Sequence, residues 1–309
     1  MVYSTKVDGE VLSFGTSGML YHSNKLMYDR GTKSLWHQFL GEPVVGPLAD
    51  SGVKLELIPV ALTTWADWLA LHPDTTVLSI ETGVYPPSSY APEDDRRSIY
   101  FRYRNTPDTI FPVPQRAELL ATKAQVLGLI LNGQAKAYPF ESLSKELVIN
   151  DTVSGQALVV VATDQVGARA YERGSYKFRL PRTGSGDGSI TLTDMNDRPW
   201  QIEEEALVLV ENPTERLARL PSRASYWFGW YSFRPGTQVY AGSNDVPWPK
   251  LLHPSSRQKP GLRFVSFSAA FAPETECGLD SGVRRNDGST QVNCFPHLQS
   301  FSAWPGTYT

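Results

Sequence analysis

The sequence predicts a β-rich α+β fold, with two related subdomains of twisted antiparallel sheet that each carry one short tryptophan-bearing helix. Three observations predict it. Apolar and polar residues alternate through many short segments, as they do in strands buried on one face. The 309 residues include 24 Gly and 23 Pro, which indicates many turns. Finally, the pair Trp65 and Trp68 recurs as Trp227 and Trp230, each 162 positions later.

The first segments of the chain alternate clearly, in "EVLSFGTSG" and "NKLMYDRGTKSLWHQF". Residues 7–9, "VDG", predict a hairpin turn because Asp-Gly tolerates positive φ. The "GTSG" at 15–18 is not a serine-nucleophile motif, since Met19 breaks the G-x-S-x-G pattern and the segment lies between strands. It is instead typical of a turn or a β-bulge.

Apolar residues between positions 60 and 72 fall at helical spacing: Leu62, Trp65, Trp68, Leu69 and Leu71. Thr63 or Thr64 is a suitable N-cap, and Pro73 predicts the end of the helix at His72. The downstream copy predicts a second helix in the same way. There Ser222 is the expected cap, and Arg234-Pro235 the expected stop.

The domain organisation predicted is a first repeat in residues 1–118, a second in 119–245 and a tail in 246–309. The first repeat includes a Pro-rich connection at 82–118. In the second, Asn132-Gly133 predicts a hairpin turn. Strands are predicted in "QALVVVAT", "ARAYER", "YKFRL", "SITLTD" and "PWQI", with a turn in "GSGDGS" at 184–189 and another ordered by Asn150 and Asp151. The tail is either an extension beyond the domain or a packed addition.

Aligning the repeats further pairs Trp36 with Trp200 and Tyr3 with Tyr171. The second copy has some 45 residues of strand-like sequence before its tyrosine, so we expect the first copy to lack its opening strands. The tryptophans have two interpretations, a stacking surface for a flat ligand or a hydrophobic core. Because a core is needed in every copy, duplication favours core positions for Trp36, Trp65, Trp68, Trp200, Trp227 and Trp230.

Charge and composition exclude some function classes. The net charge of −3 argues against nucleic acid as a partner, since phosphate neutralisation needs a basic face. No apolar run approaches the roughly 20 residues of a membrane span. The first fifteen residues show neither the basic region nor the apolar segment of a signal peptide. Cys277 and Cys294 could form one disulfide but cannot make a metal cluster by themselves.

A metal site is one hypothesis for the first repeat. His22, Asp29 and His37, with His72 further along, are its candidate ligands, and the two histidines nearest in sequence could meet across strands. Their spacing matches no compact zinc pattern. The alternative is that these histidines hydrogen-bond at sheet edges while Asp29 and Arg30 form an ion pair beside a turn.

Four segments carry a family resemblance: "VDGEVLSFGTSGMLYHSNKLMYDRGTKSLWHQFLGEPVVGPL", "LELIPVALTTWADWLALHPDTTVLS", "VLGLILNGQAKAYPF" and "VINDTVSG". Over about residues 1–242 the chain resembles the bacterial domain of unknown function 3179 (DUF3179) family. The resemblance implies an extracytoplasmic protein with a "CPLCG"-like motif just before Met1. In the second copy Thr163 and Val166 stand where cysteines are expected, and Lys145 stands where a histidine is usual.

Two function classes therefore remain open. The resemblance implies a redox or metal-handling protein whose reactive cysteines this chain lacks. The alternative is a non-catalytic scaffold that binds a ligand or another protein. The sequence itself names no substrate, cofactor, reaction or partner, so the site has to be found in the fold.

Overall fold

The computed structural model describes residues 1–242, apart from positions 78, 82, 87–94, 97–98, 164–166 and 182–190. Predictions for the tail, for Cys277 and Cys294, for Val166 and for the turn at 184–189 lie outside these residues. The fold is β-rich with antiparallel sheets and short helices, as the sequence predicts. In this part of the chain, no helix is long and apolar enough to cross a membrane.

The first half of the structure holds a four-stranded antiparallel sheet of order β4-β5-β6-β7 and two strand pairs, β1-β8 and β2-β3. Its strands are β1 (Val2–Tyr3), β2 (Lys6–Val7), β3 (Glu10–Val11), β4 (Phe14–Tyr21), β5 (Asn24–Asp29), β6 (Leu35–His37), β7 (Glu42–Val45) and β8 (Leu57–Ile58). Asp8 and Gly9 have positive φ in the β2–β3 turn, as predicted. A register shift between Thr16 and Leu20 marks the expected bulge.

Helices α1 (Trp65–Leu71) and α2 (Ile99–Asn105) follow. The boundaries of α1 confirm the sequence prediction. Thr64 is its N-cap and accepts a hydrogen bond from the Asp67 amide, and His72 is its C-cap. Helix α2 was not predicted, because the prolines and serines around it are typical of an irregular connection.

The second half is built on an eight-stranded antiparallel sheet of order β11-β12-β13-β18-β17-β16-β15-β14. Its strands are β11 (Val148–Val153), β12 (Gln156–Thr163), β13 (Gly167–Glu172), β14 (Phe178–Arg179), β15 (Thr191–Asp194), β16 (Pro199–Ile202), β17 (Ala206–Leu209) and β18 (Arg216–Leu220). The two edges nearly meet, because the Asn150 side chain on β11 exchanges two hydrogen bonds of 2.7 and 2.8 Å with the Phe178 backbone on β14.

A smaller sheet of order β19-β9-β10-β20 completes the second half. It consists of β9 (Gln125–Leu131), β10 (Gln134–Pro139), β19 (Ser222–Tyr226) and β20 (Gln238–Val239), and helices α3 (Phe140–Leu143) and α4 (Trp227–Phe233) flank its strands. The turn at Asn132 and Gly133 has positive φ, as predicted. Trp230 of α4 lies directly on Gly128, where a Cβ atom would come within 2.4 Å of the indole ring.

Two local predictions were wrong. Ser222 does not cap α4, because it lies on β19 and pairs with Leu129 of β9, and Tyr226 takes the N-cap position. Asn150 and Asp151 do not form a turn, because they lie inside β11. The turn begins three residues after Asp151, at Ser154 and Gly155, both of which have positive φ. In both cases long-range strand pairing overrides the local turn and cap propensity.

The two halves share strand registers. Tyr3 pairs with Leu57, and in the second half Tyr171 pairs with Arg219. The Tyr3 hydroxyl donates to the Gln38 carbonyl, and the Tyr171 hydroxyl donates to the Glu203 carbonyl. Likewise Met27 pairs with Trp36 as Leu192 pairs with Trp200. Each of these tryptophans meets a phenylalanine edge to face, Phe14 at 5.4 Å and Phe178 at 5.5 Å.

Candidate functional site

The structure brings two of the three metal-ligand candidates together and places the third elsewhere. His22 lies in the β4–β5 turn, where it has positive φ, and its Nδ1 atom is 2.9 Å from the Ser232 hydroxyl of α4. His37 is fully buried beside it, and both imidazoles contact the Phe233 ring. Asp29 points into the core instead, so the expected three-ligand set does not form.

The hydrogen bonds of His37 also do not suit a metal ligand. Its Nδ1 atom accepts from the backbone amides of Phe39 and Leu40, at 3.1 and 3.2 Å. The proton of the neutral ring therefore lies on Nε2. A metal-ligating histidine binds the metal through one ring nitrogen and usually donates a hydrogen bond from the other. In His37 the nitrogen without a proton already accepts two hydrogen bonds, so neither nitrogen is available to a metal. Burial, followed by the His22 charge, lowers the pKa of His37 to about 4, so the ring is neutral near pH 7.

Asp29 is a structural anchor. It accepts hydrogen bonds from the Trp36 indole, from Thr32 and from the Ser34 amide. Burial opposes its ionisation most strongly, yet these hydrogen bonds together hold the pKa of the carboxyl below its ordinary value. Arg30 contacts Tyr28 rather than pairing with Asp29. Within the described residues, no group of three or more His, Cys, Asp or Glu side chains could hold a metal ion.

The tryptophans expected in the core differ in burial. Trp36, Trp200, Trp227 and Trp230 are at most 1% exposed. Trp65 and Trp68 are only partly buried, and α1 has no buried residue. The difference is physical. Helix α4 packs on β9, whereas the Trp68 indole contacts the tilted His72 ring at 4.1 Å and donates to Thr75.

A charged cluster that the sequence did not predict lies on β13 and β18, two inner strands of the eight-stranded sheet. Arg219 of β18 is opposite Tyr171 of β13, and Arg169 is two residues before that tyrosine, so all three side chains share one face. That face carries the apolar cluster of Val159, Val161 and Trp200. Two arginines are thus fixed on rigid strands at the edge of a hydrophobic core.

Glu204, in the β16–β17 turn, joins the two guanidinium groups. Its Oε1 atom is 2.5 Å from Arg169 Nη2, and its Oε2 atom is 2.9 Å from Arg219 Nη1. His72, at the end of α1, places Nε2 3.8 Å from Oε1. The arginine side chains are 2% and 5% exposed, whereas that of Glu204 is 40% exposed.

This cluster carries more donors than its carboxylate satisfies. Arg169 Nε, Arg219 Nε, Arg219 Nη2 and His72 Nε2 are buried and have no hydrogen-bond partner in the described part of the chain. Burial, followed by the charge of Arg169, lowers the pKa of Arg219. An unpaired buried donor costs about 1–3 kcal/mol, and more when charged. The arrangement is therefore one that an added acceptor with negative charge would stabilise.

In the first half, apolar side chains stand at the positions that match this charged set, and Arg223 donates to the Phe39 carbonyl beside them. By the shared registers, Met1 and Leu57 stand where Arg169 and Arg219 stand. The carbonyls of Gln38 and Glu203 each accept a hydrogen bond from a tyrosine hydroxyl. Phe39, which follows Gln38, therefore stands where Glu204 follows Glu203. An apolar set thus occupies the equivalent positions in the first half.

A second ionic cluster is fully paired and needs no ligand. Lys136 of β10 and Asp151 of β11 are 2.6 Å apart, and the Tyr138 hydroxyl donates to the same carboxylate at 2.7 Å. Burial raises the pKa of Tyr138. These contacts tie the small sheet to the large one.

One signal in the sequence could have revealed the arginine site. Arg169 interrupts the apolar run "GARAY", in a strand that is buried on both faces. A charged side chain at such a position is almost always paired with an opposite charge or a hydrogen-bond acceptor. Its partners could not be identified, because they depend on strand pairings between distant segments. For His72, the sequence predicts only a candidate metal ligand and the end of α1.

Comparison with known proteins gives one result. The model of the family described as "Protein of unknown function (DUF3179)" matches residues 1–237, well over half of the chain. No curated protein matches, and neither does any solved structure. The resemblance noted in the sequence is thereby confirmed, and the chain belongs to the DUF3179 family.

Proposed function

We propose that this protein is a non-catalytic binding module whose small-molecule ligand is held by Arg169 and Arg219 beside His72. The observation that carries the proposal is the pair of buried guanidinium groups with three unpaired N–H positions between them. Ligand sites place a few fixed polar groups within an apolar surrounding. Both arginines meet that description, because they lie on paired strands next to the core.

The shared registers also support this proposal. We infer that the two halves are copies of one unit, one of which holds apolar residues at the positions in question. Replacing a buried ionic cluster by apolar residues is often neutral or stabilising. The charges of the second half then serve binding rather than folding.

Redox or metal-handling chemistry, which the family resemblance implies, has weaker support. Both cysteines of the chain lie outside the described residues. The His37 hydrogen bonds hold the tautomer that does not suit a ligand. The extracytoplasmic location that the resemblance implies remains part of the proposal, and cell fractionation tests it.

A thermal-shift screen of the full chain tests the proposal. Anionic, neutral and cationic small molecules are added at constant ionic strength to the wild type, Arg219→Gln and Arg216→Gln. Arg216 is a matched control, because it lies on the same strand but is exposed and pairs with Glu203. We expect one ligand class to raise Tm in the wild type and in Arg216→Gln but not in Arg219→Gln. Failure of every class, or a shift that survives in Arg219→Gln, would overturn the proposal.

A further inference from the structure

We infer that the ligand is a tetrahedral oxyanion, either free phosphate or the phosphate group of an ester. We also infer that the Glu204 carboxylate occupies the ligand's position until the ligand binds. This inference rests on the proposed function and names the class of ligand. It also assigns a role to Glu204, as an internal competitor that the ligand displaces. Three features of the cluster carry it.

The first feature is charge. Two buried guanidinium groups face one carboxylate, so the cluster keeps one positive charge in excess when His72 is neutral. A phosphate dianion in the place of the Glu204 carboxylate would balance both arginines. A carboxylate ligand in the place of Glu204 would leave the same excess positive charge that Glu204 leaves.

The second feature is the number of donors. Glu204 uses both of its oxygens on one nitrogen from each arginine, and four nitrogens of Arg169, Arg219 and His72 remain unpaired among the residues described. A planar carboxylate has two oxygens to offer, whereas a tetrahedral oxyanion has four that point in different directions. Guanidinium forks bind phosphate with paired, charge-assisted hydrogen bonds.

The third feature is the difference in mobility expected between the partners. The arginines are almost completely buried on strands, whereas Glu204 lies in a turn with 40% of its side chain exposed. An exposed side chain changes rotamer on a picosecond to nanosecond scale, so Glu204 can rotate into solvent. This movement uncovers the guanidinium groups without any change in the sheet.

Isothermal titration of the full chain with inorganic phosphate tests the inference, using Glu204→Gln and the matched control Glu203→Gln. Glu203 is adjacent, equally exposed, and pairs with the surface residue Arg216. Removing the competing charge should tighten phosphate binding about tenfold in Glu204→Gln, which corresponds to one lost charge-assisted hydrogen bond. Glu203→Gln should bind as the wild type does.

Further arms of the titration identify the ligand. Sulfate and glycerol phosphate should bind to Glu204→Gln, whereas acetate should bind much more weakly. Phosphate binding that is equal in all three proteins, or absent from all of them, would overturn the inference. A neutral ligand that binds through Arg219 would also overturn it while leaving the proposed function intact. Since Glu204 is half-exposed, its variant should fold, and its melting curve checks this.

Discussion

The Trp36 indole donates a 2.9 Å hydrogen bond to Oδ2 of Asp29, and both side chains are wholly buried. Trp200 donates to Asp194 in the same way at 3.2 Å, so this contact occurs in both halves. It joins the start of one hairpin turn to the strand that leaves it. Asp29 was a candidate metal ligand, and Trp36 could have belonged to a stacking surface. Their buried hydrogen bond indicates that both stabilise the fold.

We therefore expect Asp29→Ala to lower the free energy of unfolding by about 3 kcal/mol, because it leaves buried donors of Trp36, Thr32 and Ser34 unpaired. Denaturant titration measures this. The same change at the exposed Asp74 is the control and should cost less than about 0.5 kcal/mol. Equal costs at the two positions would contradict the anchoring role of Asp29.

The two helical tryptophans should differ in their contribution to stability. Trp230→Ala empties a fully buried site and should cost about 3–5 kcal/mol. Trp68→Ala should cost clearly less, about 1–2 kcal/mol, since Trp68 is only partly buried. Each indole donates to a threonine seven residues later, so the hydrogen bond is matched in this comparison. A larger cost at Trp68 would show that α1 has a covered face.

Gly128 should tolerate no side chain. A methyl group there would overlap the Trp230 ring, so we expect Gly128→Ala to destabilise the protein by about 1–3 kcal/mol. Gly236→Ala is the control, because its Cβ would meet no atom within 4 Å. Urea titration of both variants decides the point, and a neutral Gly128→Ala would show that the indole can move aside.

Stability should fall as the pH decreases from about 6.5 to about 4. The buried ring of His37 has its pKa lowered to about 4, mainly by burial and then by the His22 charge, so the unfolded chain binds more protons in that range. The loss amounts to about 3 kcal/mol. The Asn side chain in His37→Asn can still accept from the Phe39 and Leu40 amides. In this variant the free energy of unfolding should therefore fall less as the pH decreases over this range. An equally large loss of stability over this pH range in His37→Asn would contradict this assignment.

The elements that could be predicted from the sequence are those with a local cause. The turns at Asp8-Gly9 and Asn132-Gly133, and the helix between Thr64 and Pro73, each depend on residues that are neighbours in the chain. Ser222 was misassigned because its pairing partner on β9 lies far away in the sequence. The arginine site escaped prediction for the same reason, since register alone brings β13 and β18 together.

The partial burial of Trp65 and Trp68 shows another limit. Both have the same spacing as Trp227 and Trp230, and spacing predicts a helix face but not what covers it. Burial of the second pair depends on the small sheet that contains β9 and β10. A repeated pattern thus predicted repeated local structure without predicting equal packing.

If Arg169, Arg219 and Glu204 serve binding and not folding, as we claim, the protein should fold without their charges. The triple change Arg169→Met, Arg219→Leu and Glu204→Phe gives the second half the residues that the first half has at the same positions. We measure its free energy of unfolding by denaturant titration, at a pH where the wild type is stable. We expect a free energy of unfolding equal to that of the wild type or higher, because apolar residues replace a buried ionic cluster. A loss of more than about 3 kcal/mol would show that the charges hold the fold together, and would contradict the claim.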